Sequence, residues 1–343
     1  MDPFISCGSP GPVMNPDTGR NQLQNEGVQL KMPQGTSERK RRITGVVIAI
    51  HSQKFTIRSD RDYTMALPGR FKKGPRQLTT PFVVGDRLEL ILDENVPTLS
   101  KLFDRKNEIS RVGSLRPPIK QIIAANVDAV ICVVSVAEPP FNSRLLDRLL
   151  LFSEVAGVTG SICVNKWDLV GAADASPLIP HEPLGYRVIR TSALLGDGIE
   201  ELRSVLRNRI SLLVGPSGVG KSTLLNRLVP EAGLRTLPIS PSTGRGVHTT
   251  TRVDWLDLPT GGVVLDTPGL RHIRPWGLEP LNLAHYFPEF RDLIRDCQFR
   301  DCRHRSEPGC AVIRAIRSGI PELAGRYDSY CRIFASLERD ELW

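Results

Sequence analysis

The chain has 343 residues, of which 40% are hydrophobic, so its size suggests two or three domains with real cores. Its net charge of +8 favours a polyanionic partner, either a nucleic acid or a membrane surface, although a generally basic cytosolic protein fits the charge as well. No apolar run reaches the length of a membrane span, and residues 1–6 do not begin a secretory signal, so we expect a cytoplasmic protein without membrane attachment. Seven cysteines in this compartment indicate metal ligands or free thiols.

The N-terminal third of the chain divides into a tail and a β-rich region. Ten Gly and Pro residues lie among the first 35 positions, and this composition predicts a disordered tail over residues 1–38. Short β-type runs separated by turns follow at 43–50, 54–58, 63–67 and 82–92. Runs of this kind favour a small β-barrel, and we predict an RNA-binding OB-fold over residues 39–103.

A basic turn interrupts the β-rich region at residues 69–76. It contains Phe71 among its cations, which would suit contact with an oligonucleotide, but a solvated basic hairpin explains the same residues equally well. Residues 104–120 are basic and contain Pro117 and Pro118. We interpret this segment as a linker between domains.

Strands and helices alternate from residue 121 onward. Apolar runs at 129–135 and 160–164 flank a segment with helical spacing at 143–156, which is typical of a parallel sheet covered by helices. Cys132 and Cys163 lie inside these runs and are interpreted as small core residues.

The second apolar run ends in the N-K-x-D pattern, at Asn165, Lys166, Trp167 and Asp168. A carboxylate at Asp168 can accept hydrogen bonds from N1–H and the 2-amino group of guanine, donors that adenine lacks on that edge. Open α/β sheets bind ligands at the carboxyl ends of their strands, which strengthens a pattern that is weak by itself. The next predicted strand leads into Ser192 and Ala193, whose backbone can contact the guanine oxygen.

The apolar run 210–214 is followed by a phosphate-binding pattern, G-x-x-x-x-G-K-[ST], and then by helical spacing. Glycines allow successive N–H groups to surround a phosphate, and the helix N-terminus adds its positive end. Lys221 would reach the β- and γ-phosphates, and the hydroxyl of Ser222 would bind Mg²⁺. The predicted nucleotide contacts here are Gly215, Pro216, Ser217, Gly218, Val219, Gly220, Lys221, Ser222 and Thr223.

Two further segments fit the γ-phosphate end of a nucleotide. The Gly- and Thr-rich stretch 242–252 should be mobile and offers a second hydroxyl to Mg²⁺ from Thr249 or Thr250, of which we choose Thr250. Asp266 opens a D-x-x-G pattern that ends at Gly269. We expect Asp266 to hold Mg²⁺ through water and the N–H of Gly269 to sense the γ-phosphate.

The C-terminal region, from residue 281 to 343, carries four metal-ligand residues within 14 positions, Cys297, Cys302, His304 and Cys310. Three thiolates and an imidazole can close a tetrahedral Zn²⁺ site. All four ligands come from the protein, so we expect one structural zinc ion within a helical module. Cys331 lies outside the group and is interpreted as structural.

The order of these motifs is unusual, because the base-reading motifs precede the phosphate loop and the switch motifs follow it. Between a β-barrel and a Cys/His module, this order resembles the circularly permuted GTPases of the RsgA/YjeQ family over residues 40–335. The predicted fold is therefore an OB-fold β-barrel, a circularly permuted P-loop α/β GTPase domain at 121–280 and a helical zinc-binding module at 281–343. The resemblance implies hydrolysis of GTP to GDP and phosphate during late maturation of the small (30S) ribosomal subunit, stimulated by that subunit. It also implies contact with 16S rRNA near the decoding region, and we expect a monomer.

The attacking water needs a residue that orients it. Leu270 follows the D-x-x-G glycine and has an apolar side chain that cannot do this. The resemblance points instead to His248, so that His248 and Lys221 are the two predicted catalytic residues. For His248, a packed or solvated loop histidine remains the alternative. The alternative function is an RNA-binding assembly factor that holds GTP as a structural ligand with negligible turnover. A P-loop kinase for a small molecule would not explain the N-K-x-D pattern, the barrel or the cysteines.

Overall fold

The computed structural model of the chain describes residues 40–51, 54–66, 82–94, 96–113, 118–170, 181–233, 253–268 and 274–341. Residues 39–343 form one compact unit. The predicted tail at 1–38, the basic turn at 69–76 and the first-switch segment at 242–252 lie outside the described residues. Among the residues described, no helix combines the length and apolar character that crossing a membrane requires.

The first sheet is antiparallel and consists of β1 (Arg41–His51), β2 (Lys54–Arg58), β3 (Asp62–Ala66), β4 (Arg87–Asp93) and β5 (Val96–Leu102), in the order β3-β2-β1-β4-β5. Its edge strands β3 and β5 approach each other, so the sheet curls around an apolar core that includes Val47, Ile57 and Leu90. The described residues thus form a curled half-barrel. Closure into the predicted OB-fold stays a prediction.

Part of the segment interpreted as a linker is a strand. β6 (Glu108–Val112) pairs antiparallel with β7 (Lys120–Ala125). The side chain of Ile109 is 1% exposed and packs in the same core as Ile123. The basic composition concealed this strand, because Arg111 is buried and donates from Nε to Oε1 of Gln121 at 3.0 Å instead of facing solvent.

In the described residues, the central domain contains a six-stranded sheet and three helices. Its elements are β8 (Ala129–Ser135), α1 (Ser143–Ala156), β9 (Thr159–Asn165), β10 (Arg187–Arg190), α2 (Ile199–Leu206), β11 (Ile210–Val214), α3 (Lys221–Leu228), β12 (Asp254–Asp257) and β13 (Val263–Asp266). The strand order is β10-β9-β8-β11-β13-β12, parallel throughout except for the edge strand β12, which pairs antiparallel with β13. The parallel α/β prediction is confirmed.

Strand β8 is buried on both faces of this sheet. Val130 and Val134 belong to a core that includes Leu146 of α1, whereas Ile131 and Val133 belong to a second core with residues of α2 and α3. Alternate side chains of a strand point to opposite faces, so α1 covers one side and α2 and α3 cover the other. The carboxyl ends of β9, β10, β11 and β13 are thereby brought to one edge.

The C-terminal region contains α4 (Ala311–Arg317) and α5 (Pro321–Glu338), preceded by short 3₁₀ turns between residues 283 and 296. Its core is aromatic, with Phe287, Phe290, Tyr330 and Phe334 all less than 2% exposed. Leu151 of α1 completes this core. The module therefore packs against the central domain through α1.

Candidate nucleotide site and metal site

The loop between β11 and α3 has the backbone that the phosphate-binding pattern predicts. Gly220 has φ of 91°, in the left-handed region that favours glycine, and a Cβ there would lie 2.3 Å from Nδ2 of Asn165. A Cβ on Gly215 would lie 2.3 Å from the carbonyl oxygen of Val133 on β8. Both glycines are needed for this loop to pack against the neighbouring strands.

Lys221 lies across its own loop. Its ammonium donates to the carbonyl oxygens of Gly215 at 2.7 Å and Pro216 at 2.9 Å. Burial lowers the pKa of this lysine, and the nearby carboxylate of Asp266 opposes the shift. The ammonium is therefore held against the phosphate loop by two backbone carbonyls.

Asp266 ends β13 beside the same loop and is 6% exposed. Its Oδ1 is buried and has no hydrogen-bond partner among the residues that the structure describes. Burial raises the pKa of this carboxyl, and Lys221 opposes the shift. A buried carboxylate oxygen without a donor fits a divalent cation or its bound water, which is the role predicted from the sequence.

Asn165 joins three loops at the edge of the sheet. Its Nδ2 donates to the carbonyl of Val219 in the phosphate loop at 2.8 Å, and its Oδ1 accepts from the N–H of Ala193 at 3.0 Å. The side chain is 1% exposed. Asn165 therefore holds the phosphate loop and the loop after β10 in one geometry.

Asp168 is oriented by a neighbour that the sequence analysis did not assign to it. The hydroxyl of Ser192 donates to Oδ1 of Asp168 at 2.5 Å, which leaves Oδ2 for other donors. Trp167 lies under the guanidinium of Arg190, 5.4 Å from its ring centroid, and Lys166 has φ of 59° and donates to the carbonyl of Glu138. The predicted base-reading residues are thus brought together.

A residue with no signal in the sequence also contacts this edge. Arg227 of α3 donates to the carbonyl oxygens of Ala193 and Leu194. In the sequence it is one more polar position of an amphipathic helix. Its partners lie 33 and 34 positions away in the chain, so only the fold shows the contact.

The predicted switch residues His248, Thr249, Thr250, Gly269 and Leu270 lie outside the described residues. Ser222 and Thr223 lie in the first turn of α3, which begins at Lys221, and are partly exposed.

The four predicted metal ligands converge in the C-terminal module. The ligand atoms of Cys297, Cys302, His304 and Cys310 all lie within 4.8 Å of one another. Nδ1 of His304 is 3.5 Å from Sγ of Cys297 and 3.4 Å from Sγ of Cys310, so this ring nitrogen faces the sulfurs. Three thiols and one imidazole this close together fit a metal ion of the zinc type.

Neighbouring groups fix the backbone that carries these ligands. Tyr327 of α5 donates its hydroxyl to the carbonyl of His304 at 2.8 Å. Glu307 accepts from the N–H groups of Arg303, Arg305 and Ser306, and these bonds outweigh burial and hold the pKa of its carboxyl at about 2. The ligand loop is therefore ordered by protein contacts as well.

The nucleotide edge and its motif order can be compared with known proteins. Residues 102–276 match the family model described as RsgA GTPase. The chain is 37% identical over 306 residues to the small ribosomal subunit biogenesis GTPase RsgA of Gemmatimonas aurantiaca, covering 87% of this chain and 97% of that protein. The chain belongs to the RsgA GTPase family. As a member of this family it is a GTP hydrolase.

Other relatives and solved structures agree with this membership in the RsgA GTPase family. The RsgA protein of Chlorobaculum parvum is 44% identical over 242 residues, which is 69% of this chain and 76% of that protein. YjeQ from Thermotoga maritima superposes with a TM-score of 0.67 at 34% identity, over 87% of this chain and 99% of that one. YloQ, described as a circularly permuted GTPase, superposes with a TM-score of 0.66 at 26% identity, over 88% of this chain and 96% of that one. The fold is that of a circularly permuted GTPase.

Proposed function

We propose that this chain binds the small (30S) ribosomal subunit and hydrolyses GTP to GDP and phosphate during late maturation of that subunit. The observation that carries the proposal is the single sheet edge where Asp168, the phosphate loop and Asp266 meet. The relatives named as small ribosomal subunit biogenesis GTPases support the choice of partner.

The guanine base is assigned to the loops after β9 and β10. Oδ2 of Asp168 would accept from N1–H or the 2-amino group, because Oδ1 already accepts from Ser192. Asn165, Trp167 and Ala193 would complete the base pocket, with Lys166 supporting its loop. Selectivity follows from the donors that guanine alone offers, since the Asp168 carboxylate would lose water to a bound adenine without gaining a donor from it.

The phosphates are assigned to residues 215–223. Lys221 would exchange its two carbonyl partners for the β- and γ-phosphate oxygens, a stronger acceptor for a partly buried ammonium. Mg²⁺, held by Ser222, Thr250 and the Asp266 carboxylate, would neutralise charge on the β–γ bridge. The N–H of Gly269 would contact the γ-phosphate, and His248 would orient the attacking water. Docking on the subunit would bring His248 into place and stimulate hydrolysis.

We assign one structural Zn²⁺ to Cys297, Cys302, His304 and Cys310. The support is the convergence of three sulfurs and one imidazole nitrogen within 4.8 Å. With four protein ligands the site leaves no position for a reacting water, so its role is to stabilise the C-terminal module.

The remaining partners follow from charge and family. The net charge of +8 and the N-terminal half-barrel support contact with 16S rRNA through the predicted OB-fold. Ribosomal subunits mature in the cytoplasm, where we place this protein, and we propose that it acts as a monomer.

One experiment tests the partner and the reaction together. Purified protein is co-sedimented with small and with large ribosomal subunits in GDP and in a non-hydrolysable GTP analogue, and phosphate release is measured over many turnovers with each subunit. We expect binding to the small subunit only, stronger in the GTP analogue, and faster turnover in its presence. Binding without any turnover would favour an assembly factor that holds GTP as a structural ligand. No preference for the small subunit would refute the proposed partner.

A further inference from the structure

The helix that starts at the phosphate loop also holds the loop after β10. Arg227 lies in the last turn of α3, whose first residue is Lys221. Its Nε donates to the carbonyl of Ala193 at 2.9 Å, and its Nη2 donates to the carbonyl of Leu194 at 2.5 Å. One rigid helix thereby connects the phosphate loop to the base loop, which we define as residues 192–195.

Side-chain burial anchors only part of the base loop. Leu194 and Leu195 are 69% and 65% exposed, whereas Ala193 is 3% exposed. From the inside, Asn165 accepts from the N–H of Ala193 at 3.0 Å, and Ser192 accepts from the N–H of Leu195 at 3.1 Å. On the side of α3, the loop carbonyls are held by the guanidinium of Arg227. Because the side chains of Leu194 and Leu195 are largely exposed and are not packed in a core, these hydrogen bonds to the backbone set the position of the loop.

The two restraints act on consecutive peptide groups, because Asn165 binds the N–H of Ala193 and Arg227 binds the carbonyls of Ala193 and Leu194. A trans peptide group directs its N–H opposite to its carbonyl, so the contact with the Ala193 carbonyl directs the N–H of Leu194 away from α3. The N–H of Leu195, in the next peptide group, is already bonded to Oγ of Ser192. A charged donor also gives a stronger hydrogen bond than a neutral one. The arrangement is suited to presenting the N–H of Leu194 to a carbonyl oxygen of a bound base.

We propose that Arg227 is a positioning residue for guanine recognition, which holds the base loop so that the N–H of Leu194 meets the 6-oxo group of the purine. The proposal rests on the proposed guanine site. It makes the 6-oxo group, and not the 2-amino group that Asp168 reads, the part of the base that depends on Arg227.

The test measures the equilibrium dissociation constants of two nucleotides for the native protein and for variants at two arginines. GDP is compared with 2-aminopurine riboside 5′-diphosphate, which keeps the 2-amino group but lacks the 6-oxo group and, with it, the N1–H. The missing N1–H affects native and variant protein alike, so each nucleotide is judged by the ratio of its variant to native dissociation constants. Arg227→Ala removes both loop contacts. Arg203→Ala is the matched control, because Arg203 of α2 donates to the backbone carbonyl of Arg227 at 2.7 Å and has no described contact with the base loop.

We expect Arg227→Ala to weaken GDP binding about five- to tenfold, the loss that corresponds to one neutral hydrogen bond between a backbone N–H and the 6-oxo group. Binding of the analogue without the 6-oxo group should change less than about twofold, and Arg227→Lys, which can reach one carbonyl, should give an intermediate GDP affinity. In steady-state kinetics the change should appear in KM much more than in kcat.

Other outcomes would overturn the proposal. An equal loss for both nucleotides, or the same loss in Arg203→Ala, would mean that Arg227 only stabilises α3. Unchanged GDP affinity in Arg227→Ala would remove the role altogether. If the native protein does not prefer GDP to ADP, the proposed guanine site itself fails, and this result is distinguishable because it needs no variant.

Discussion

Arg326 of α5 and Asp147 of α1 form an ion pair 179 positions apart in the chain, with Nε and Oδ1 separated by 2.9 Å and side chains only 3% and 2% exposed. Nε2 of His181 lies 2.9 Å from the same oxygen of Asp147, and Nη1 of Arg326 donates to Oε2 of Glu289 at 3.0 Å. The metal-binding module is thus fixed to the helix that covers the nucleotide-domain sheet.

Removing the cation from this contact should destabilise the protein strongly. Arg326→Met leaves Asp147 and Glu289 buried without their countercharge, which costs about 3–5 kcal/mol of unfolding free energy. The control is Arg332→Ala on the same helix, whose pair with Asp328 is exposed and contributes about 0–1 kcal/mol. Urea unfolding followed by tryptophan fluorescence measures both, and equal midpoints for the two variants would contradict the prediction.

The same contact should give an acid-sensitive stability. Burial opposes ionisation of Asp147, but the charge of Arg326 and the bond from His181 outweigh it and hold the pKa of this carboxyl below its ordinary value. A lowered pKa contributes stability above the unfolded value of about 3.9, and that contribution is lost as the pH falls through the lower, folded value. Burial raises the pKa of Glu289 despite Arg326, so that group acts in the opposite sense.

Asp147→Asn should therefore be less stable than the native chain at pH 7 and should lose less unfolding free energy between about pH 4 and pH 2. The exposed pair of Asp93 with Lys40 provides the control, and Asp93→Asn should keep the native acid dependence. Parallel acid curves for native protein and Asp147→Asn would show that this carboxyl does not set the dependence.

Base choice should depend on Asp168. Asp168→Asn removes a carboxylate acceptor and supplies an amide that can donate to a 2-oxo group, so GDP affinity should fall about tenfold to a hundredfold while xanthosine diphosphate gains relative to it. Asp197→Asn is the control, because this exposed residue lies between the base loop and α2 and accepts from the N–H of Ser192 with its backbone carbonyl. Unchanged GDP affinity in Asp168→Asn would remove the base-reading assignment.

Zinc should be stoichiometric and structural. Metal analysis of native protein should find about one zinc per chain, the number that one four-ligand site holds. Cys302→Ala should lose it, loosen residues 281–343 and weaken binding to the small subunit, with GDP affinity retained. Cys331→Ala, which changes a half-buried cysteine of α5 outside the cluster, should keep the metal. Native protein without stoichiometric zinc would refute the assignment.

Subunit-stimulated hydrolysis should depend on His248. His248→Ala should bind GTP and the small subunit normally but lose most of the stimulated rate, because a water displaced by about 1 Å can cost roughly a hundredfold. The control is His285→Ala, an exposed histidine of the C-terminal region. Full stimulation of the His248 variant would assign the positioning of water to another group.

Much of the site could be predicted from the sequence because its residues lie close together along the chain. The phosphate loop occupies consecutive positions, and the glycines at 215 and 220 are demanded by the backbone of that loop itself. The bounds of α1 matched the predicted helix 143–156, since Asn142 caps its first turn and Gly157 ends it with a left-handed φ of 65°. Metal ligands clustered along the chain are likewise visible before folding.

Contacts between distant segments could not be predicted this way. β6 lay hidden in a basic segment, because only pairing with β7 makes Arg111 a buried residue. The hydrogen bonds of Arg227 to the base loop depend on α3 packing beside the end of β10. Nothing in the sequence indicated that the charged side chains of Arg326 and Asp147 are buried. The residues with the chemistry to bind a nucleotide and a metal ion could be identified from the chain alone, since local spacing specifies loops and helix ends. The tertiary structure alone decided which charges lose water and which loops share a support, because both depend on segments that only folding brings into contact.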